Sequence, residues 1–129
     1  DLIDYVSTRG GVHGEVGVDL DQSSTVQGVW AISGAVPGID KIDQDSAPVY
    51  AAHNELDEVA PCGTFTFQGT EFEASGTCDF VPAYQNLGLP VGAFIVPDDT
   101  EHVDFTDEEY QQIMSESLQL YFEVVLDID

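Results

Sequence analysis

Two cysteines, Cys62 and Cys78, close the segment CGTFTFQGTEFEASGTC and are the only cysteines of the chain. Paired cysteines form disulfides, contribute to metal sites or act as redox couples. A metal site needs further ligands, and this spacing matches no zinc-finger pattern. Redox couples usually have the C-x-x-C spacing. We therefore predict a Cys62–Cys78 disulfide, which indicates an oxidising compartment outside the cytosol.

The residues between the cysteines predict a β-hairpin. A two-residue turn that begins at Gly69 places Phe67 opposite Phe72 and Phe65 opposite Ala74. The phenylalanines then share one face, and the threonines and glutamates share the other. The pattern indicates an amphipathic two-stranded ribbon.

The predicted hairpin register misses the disulfide by one residue. It places Cys62 opposite Thr77 instead of Cys78. One extra residue corrects the offset, and Gly76 is the position where a bulge costs least. The predicted disulfide therefore depends on a bulge at Gly76.

Three histidines, His13, His53 and His102, are the candidates for acid–base or metal chemistry. No HxH, HExxH or HxxxH pattern joins any two of them. With 25 acidic residues in 129, a histidine beside a carboxylate is expected by chance. Ser33, in ISGAV, lacks the G-x-S-x-G pattern of a nucleophile. We predict no catalytic residues, and a small hydrolase with a histidine base remains an alternative.

Two acidic clusters could hold calcium through their carboxylate oxygens, but neither follows the D-x-[DN]-x-[DN]-G loop. They are Asp40, Asp43 and Asp45, and Asp98, Asp99 and Glu101. We predict no metal ligands and no cofactor.

The charge balance is the most unusual property of the sequence. The chain carries 25 acidic residues against Lys41 and Arg9, for a net charge of −23. Such a surface repels itself at low ionic strength, whereas molar salt shortens the Debye length to about 3 Å. The acids are spread along the chain, which argues against a DNA mimic with charge on one ridge. The composition is typical of a protein from an extreme halophile.

The same charge balance narrows the range of partners. Without a basic patch, the chain has nothing to neutralise phosphates, which argues against nucleic acid and anionic lipid. No apolar run approaches the ~18 residues of a membrane span, so no membrane insertion is expected. We expect solvent cations at the acidic surface. The chain begins at Asp1, which is compatible with removal of a leader.

Hydrophobic periodicity predicts several short strands and one clear helix. The predicted elements are a short helix within 1–11, strands within 12–20, 25–33, 48–53 and 91–96, the hairpin, and a helix within 105–118. Thr106 and Glu109 form a capping box. The helix carries an apolar stripe, predicted to be core, of Tyr110, Ile113, Met114 and Leu118. Residues 119–128 alternate, and we favour a strand over a helical continuation.

These elements predict one compact domain over residues 1–129. The expected fold is mainly β, a sandwich or barrel of six to eight short antiparallel strands with one or two packed helices. The alternative is an α+β fold.

Function is predicted only by class. A small β-rich domain with a disulfide and no catalytic pattern favours a non-enzymatic subunit of an extracellular or virion assembly, with other protein subunits as partners. A small secreted ligand- or calcium-binding module and the hydrolase are the alternatives. The cytoplasm of a salt-accumulating halophile is the alternative location.

Transfer from molar salt into ~10 mM buffer should unfold the protein, because the Debye length rises to about 30 Å and unscreened carboxylates repel. Far-UV circular dichroism should report loss of much of the signal. An unchanged spectrum would contradict halophilic adaptation.

Overall fold

The computed structural model describes residues 25–124 and residue 126. In chain order its elements are β1 (Val29–Ile32), β2 (Ala35–Val36), a 3-10 turn (Ile39–Lys41), β3 (Val49–Asn54), β4 (Thr64–Thr66), β5 (Glu73–Gly76), α1 (Thr77–Asn86), β6 (Val91–Val96) and α2 (Asp107–Val124). The helix and strand predicted within 1–11 and 12–20, together with His13, lie outside the described residues.

The central layer is a parallel sheet in the order β1-β3-β6. Every residue of its middle strand, Val49–Asn54, is buried. A parallel strand covered on both faces needs a continuous run of apolar or small residues, and VYAA provides it before the polar His53 and Asn54. Helix α1 packs on one face and α2 on the other.

Alternate residues of β3 supply the two cores. Val49 packs with Phe80 of α1 on one face. Tyr50 and Ala52 pack with Ile113 of α2 on the opposite face. This follows from the two-residue period of a strand, which sends successive side chains to opposite sides.

A tyrosine fixes α2 to the sheet. The Tyr50 hydroxyl donates a 2.6 Å hydrogen bond to Oε2 of Glu116. Its ring lies across Gly92 of β6, where an added Cβ would meet Tyr50 Cδ2 at 2.6 Å. Gly92 therefore allows the close approach that orients the phenol.

The second sheet, in the order β2-β5-β4, confirms the predicted hairpin register. Phe65 pairs with Ala74, and the Phe67 N–H donates to the Phe72 carbonyl at 3.0 Å. The turn differs from the prediction, because the Thr70 N–H donates to the Phe67 carbonyl at 3.0 Å, which centres the turn on Gln68 and Gly69 instead of Gly69 and Thr70. Gly69 has a φ of 77°.

The predicted disulfide between Cys62 and Cys78 is present, with Cα atoms 5.1 Å apart. The Gly76 N–H donates to the Gly63 carbonyl at 3.0 Å, and the Cys78 N–H donates to the Cys62 carbonyl at 2.8 Å. The extra residue therefore lies at Thr77, the first residue of α1. The start of a helix, not a bulge within a strand, corrects the register.

The sandwich or barrel of antiparallel strands is not confirmed. The described residues form a mixed α/β fold, in which three of the six strands are parallel. No pattern in the sequence predicted α1, which contains Pro82 and is only ten residues long. The C-terminal end of α1 is marked by Gly88, which has a φ of 68°. The Leu89 N–H donates to the Tyr84 carbonyl there, as in a helix that ends with a glycine in the left-handed conformation.

The strand predicted within 119–128 is wrong for its first half. Helix α2 continues to Val124. Its buried face continues through Ser117, Leu120 and Tyr121, at helical spacing. The predicted capping box is present, because the Glu109 N–H donates to the Thr106 hydroxyl and the Thr106 N–H donates to the Glu109 carboxylate.

Gly76→Ala should lower the free energy of unfolding by about 3 kcal/mol, because overpacking against rigid backbone costs roughly this much. The new Cβ would lie 2.5 Å from the Cys62 carbonyl oxygen and would also clash with the Pro61 carbonyl. Gly63→Ala is the matched control, since its Cβ meets nothing closer than 3.7 Å. Urea denaturation in molar salt measures both, and equal effects would contradict the close approach at Gly76.

Candidate functional site

The carboxyl ends of the parallel strands are the first place to look for a site, because open parallel sheets bind ligands there. Strand β3 ends at this edge with His53 and Asn54, both fully buried. The loops that follow bring Asp57 and His102 beside them. Two of the predicted candidate histidines are thus close to one buried carboxylate.

His53 has both ring nitrogens occupied. Its Nε2 lies 2.7 Å from the Ala60 carbonyl, which can only accept, so Nε2 carries the proton. Its Nδ1 therefore accepts from the Thr77 hydroxyl, at 2.9 Å. Asp57 Oδ2 is 3.7 Å from Nε2, too far for a hydrogen bond. His53 has no free nitrogen for a substrate proton or a metal.

Asp57 is a buried carboxylate held by three groups of this edge. Its Oδ1 accepts 2.8 Å hydrogen bonds from the N–H groups of Val59 and Ala60, and its Oδ2 lies 2.7 Å from Nδ1 of His102. Burial raises the pKa of Asp57, but the hydrogen bonds and the charge of His102 more than offset it, so the pKa is lowered overall.

His102 is the accessible member of this cluster, with 37% of its side chain exposed. A buried aspartate on Nδ1 is the arrangement that orients a histidine base. The Thr77 hydroxyl could act as a nucleophile, but it is hydrogen-bonded to His53 and not to His102. Thr77 and His53 are both fully buried. A substrate cannot reach the Thr77–His53 pair, so the geometry gives no support to acyl transfer there.

The loops around this cluster are bonded to one another and form a rigid edge. The Asn54 side chain donates to the Asp104 carbonyl at 2.7 Å, and the Asp98 N–H donates to the Glu55 carboxylate at 2.9 Å. Three non-glycine residues here have positive φ, at Ser33, Asp98 and Val103. The Ser33 hydroxyl is buried without a hydrogen-bond partner. These loops bury His53 completely and leave His102 partly exposed.

The acidic clusters act as turn caps. Asp43 Oδ1 accepts from the Asp45 N–H at 3.0 Å, and Asp99 Oδ1 accepts from the Glu101 N–H at 2.9 Å. Across residues 25–124, no group of three or more His, Cys, Asp or Glu side chains is placed to hold a metal ion. In the same region, neither helix is long and apolar enough to cross a membrane.

An apolar pocket of about 320 Å³ lies on the α1 side of the sheet. Its walls come from β1, β2, β3 and α1, and are Val29, Trp30, Ala31, Gly34, Ala35, Val36, Val49, Phe80 and Tyr84. The Tyr84 hydroxyl is already bonded to the Ala47 carbonyl, at 3.0 Å. The walls therefore offer shape and apolar contact but few convergent polar groups.

The outer side of α2, together with Leu126 just beyond its end, carries a second apolar surface, which we call the α2 ridge. Its members are four residues apart and leave between 42% and 53% of their surface exposed. They are Tyr110, Met114, Leu118, Phe122 and Leu126. The prediction that the helical stripe is core is correct for Ile113 and wrong for Tyr110, Met114 and Leu118.

The middle of the α2 ridge is depleted of charge. From Tyr110 to Phe122 the only carboxylate is Glu116, whereas the exposed Asp107 and Glu108 precede this stretch and the exposed Glu123 follows it. The Glu116 carboxylate accepts from the Tyr50 hydroxyl and from the Gln112 amide, and these hydrogen bonds lower its pKa. Apolar and aromatic residues without charge are typical of the centre of a protein interface.

The edge of the sheet extends this surface. Trp30 of β1 is 47% exposed, and its ring centroid lies 6.3 Å from that of Tyr121. The Tyr121 hydroxyl donates to the Val29 carbonyl. Its ring occupies the space where a side chain at position 28 would lie, so Gly28 allows this contact. Helix α2 packs mainly on β3 and β6, which leaves Trp30 uncovered.

Sequence patterns could have revealed the ridge. Apolar residues at positions 110, 114, 118, 122 and 126 form one series, and Ile113, Leu120 and Tyr121 form another. One helix cannot bury both series against one sheet.

Comparison with protein-family models, curated proteins and solved structures gives no match to this chain.

Asp57→Asn should destabilise the protein by about 2 kcal/mol at neutral pH, because hydrogen bonds to a charged group are worth roughly this much. The lowered pKa of Asp57 means that its carboxylate stabilises the fold above the usual value of 3.8. That stabilisation is lost as pH falls below 3.8 and through the folded pKa.

The difference in unfolding free energy between wild type and Asp57→Asn should therefore shrink below about pH 4. Urea denaturation at several pH values in molar salt measures it. The exposed Glu58→Gln is the control and should follow wild type. A difference that stays constant with pH would show that the Asp57 charge does not contribute.

Proposed function

We propose that this chain is a non-enzymatic structural subunit of an extracellular or virion assembly from an extreme halophile. It acts through protein–protein contacts, and the α2 ridge is the surface that makes them. The observation that carries the proposal is an apolar, nearly uncharged helix face on a molecule with a net charge of −23.

The size of the α2 ridge supports this proposal. Each of its five side chains leaves roughly 90 Å² in contact with water, since large side chains present about 150–250 Å² in total. The ridge therefore exposes roughly 450 Å², which is close to the largest apolar patch that monomers carry and is often functional at that size. Covering it with another protein removes this surface from water.

The proposed location rests on two other features. The Cys62–Cys78 disulfide favours an oxidising setting over the cytoplasm. The acidic surface favours a medium of high salt, because the described residues contain a single lysine–carboxylate pair, between Lys41 and Asp40. An extracellular or particle-bound protein of a hypersaline environment combines both requirements.

A secreted ligand-binding module is the second candidate, and the apolar pocket beside Trp30 favours it. Its volume of about 320 Å³ lies at the lower end of the range for small-molecule sites. The lack of convergent polar groups places it behind the assembly proposal.

Oxidation of Met114 tests the assembly proposal, because this is the only methionine of the chain and it lies on the α2 ridge. Peroxide should convert Met114 to the sulfoxide several-fold more slowly in the native extracellular material than in the dilute purified protein, both in molar salt. Mass spectrometry after digestion measures the rate.

A free methionine-containing peptide added to both samples controls for the peroxide that each receives. Equal oxidation of Met114 in the two samples would contradict the proposal that the ridge is covered in the native state.

A further inference from the structure

We infer that the partner on the α2 ridge is a second copy of this chain, with the two α2 helices packed antiparallel about a two-fold axis at Leu118. This inference rests on the proposed function and adds the identity of the partner. The charge, shape and size of the ridge all point to it.

Charge restricts where two copies can meet. Each copy has a net charge of −23, so most pairs of facing surfaces bring carboxylates together. The middle of the α2 ridge, around Leu118, avoids this, since its neighbours there are the exposed and uncharged Gln111, Ser115 and Gln119, and Glu123 follows only at the end of that row. A cationic partner would be held by carboxylates, which the ridge lacks. A second copy presents the same uncharged surface and needs no opposite charge.

The spacing of the ridge suits self-association. Its four members within α2, from Tyr110 to Phe122, span twelve residues of sequence, or about 18 Å at 1.5 Å per residue, and Leu126 follows beyond the end of the helix. Leu118 is the middle member, with Met114 and Phe122 one step away on each side. A two-fold axis at Leu118 therefore places Met114 of one copy against Phe122 of the other, as an isologous interface requires. Ridges at four-residue spacing pack into the matching grooves of another helix.

The exposed area of the α2 ridge is similar to that of the central part of a protein–protein interface. The ridge contributes roughly 450 Å² per copy, a little over half of the roughly 800 Å² that each partner buries in a standard interface. The glutamines and Ser115 beside it, with Trp30 at the edge of the sheet, provide surface for the remainder. Their uncharged side chains form the polar rim that such interfaces have.

Salt should strengthen this pair. Repulsion between two copies acts over a Debye length of about 10 Å at 0.1 M salt and about 3 Å at 1 M. Apolar contact between uncharged ridges has no attraction that salt can screen. An interface held by ion pairs would have the opposite dependence.

Size-exclusion chromatography with light scattering in molar NaCl tests the inference. Wild type should have twice the monomer mass of 14.0 kDa. Leu118→Glu should give the monomer mass, because two facing carboxylates at the axis should weaken the pair roughly a hundredfold or more. Gln85→Glu adds the same charge on the exposed side of α1 and should remain a dimer. Far-UV circular dichroism shows that each variant is folded.

A cysteine variant tests the two-fold register. Leu118→Cys should form a covalent dimer on mild oxidation, because residues on a two-fold axis meet their own copies. Gln85→Cys is the matched control and should not form a covalent dimer.

Wild type at the monomer mass at every concentration in molar salt would overturn the second-copy inference, as would a dimer that Leu118→Glu leaves intact. Protection of Met114 in native material would then still support the proposed function. Unprotected Met114 would count against the function itself, so the two failures can be told apart.

Discussion

The shortage of cations determines how carboxylates are held throughout this structure. The chain has 25 acidic residues and two basic ones, and the lysine–carboxylate pair seen in the described region, Lys41 with Asp40, is at the surface. Carboxylates that reach the core are held by neutral donors or a histidine. Backbone N–H groups and His102 hold Asp57, and the phenol of Tyr50 holds Glu116. Such short, partly buried contacts are much less sensitive to salt screening than exposed ion pairs.

Local rules predicted much of the fold. Apolar runs located β3 and β6, the capping box located the start of α2, and the pairing of Phe65 with Ala74 followed from alternation alone. The disulfide followed from the same register with one residue added. In each case the signal depends on residues close together in the sequence, so tertiary structure did not need to be known.

Non-local choices were not predictable from the same signals. The parallel pairing of β1, β3 and β6 depends on α1, whose ten residues with Pro82 at the centre resemble a loop. The alternation of residues 119–124 fits a strand, but packing of Tyr121 on the sheet edge favours the helix. The histidine cluster was missed for the same reason, because His102 comes from a loop after β6, far in sequence from His53 at the end of β3 and from Asp57 just after it.

The distribution of charge explains why one apolar surface can coexist with so acidic a chain. A net charge of −23 opposes association wherever carboxylates face each other. A patch without carboxylates can therefore be large without causing indiscriminate aggregation. The α2 ridge is an apolar series on α2 that the sheet does not cover. Glu116, the one acid between Tyr110 and Phe122, lies on the side of the helix opposite Leu118 and accepts from the Tyr50 hydroxyl. That hydrogen bond anchors the helix to the core, and it holds the charge of Glu116 against the sheet and away from the face that a partner would meet.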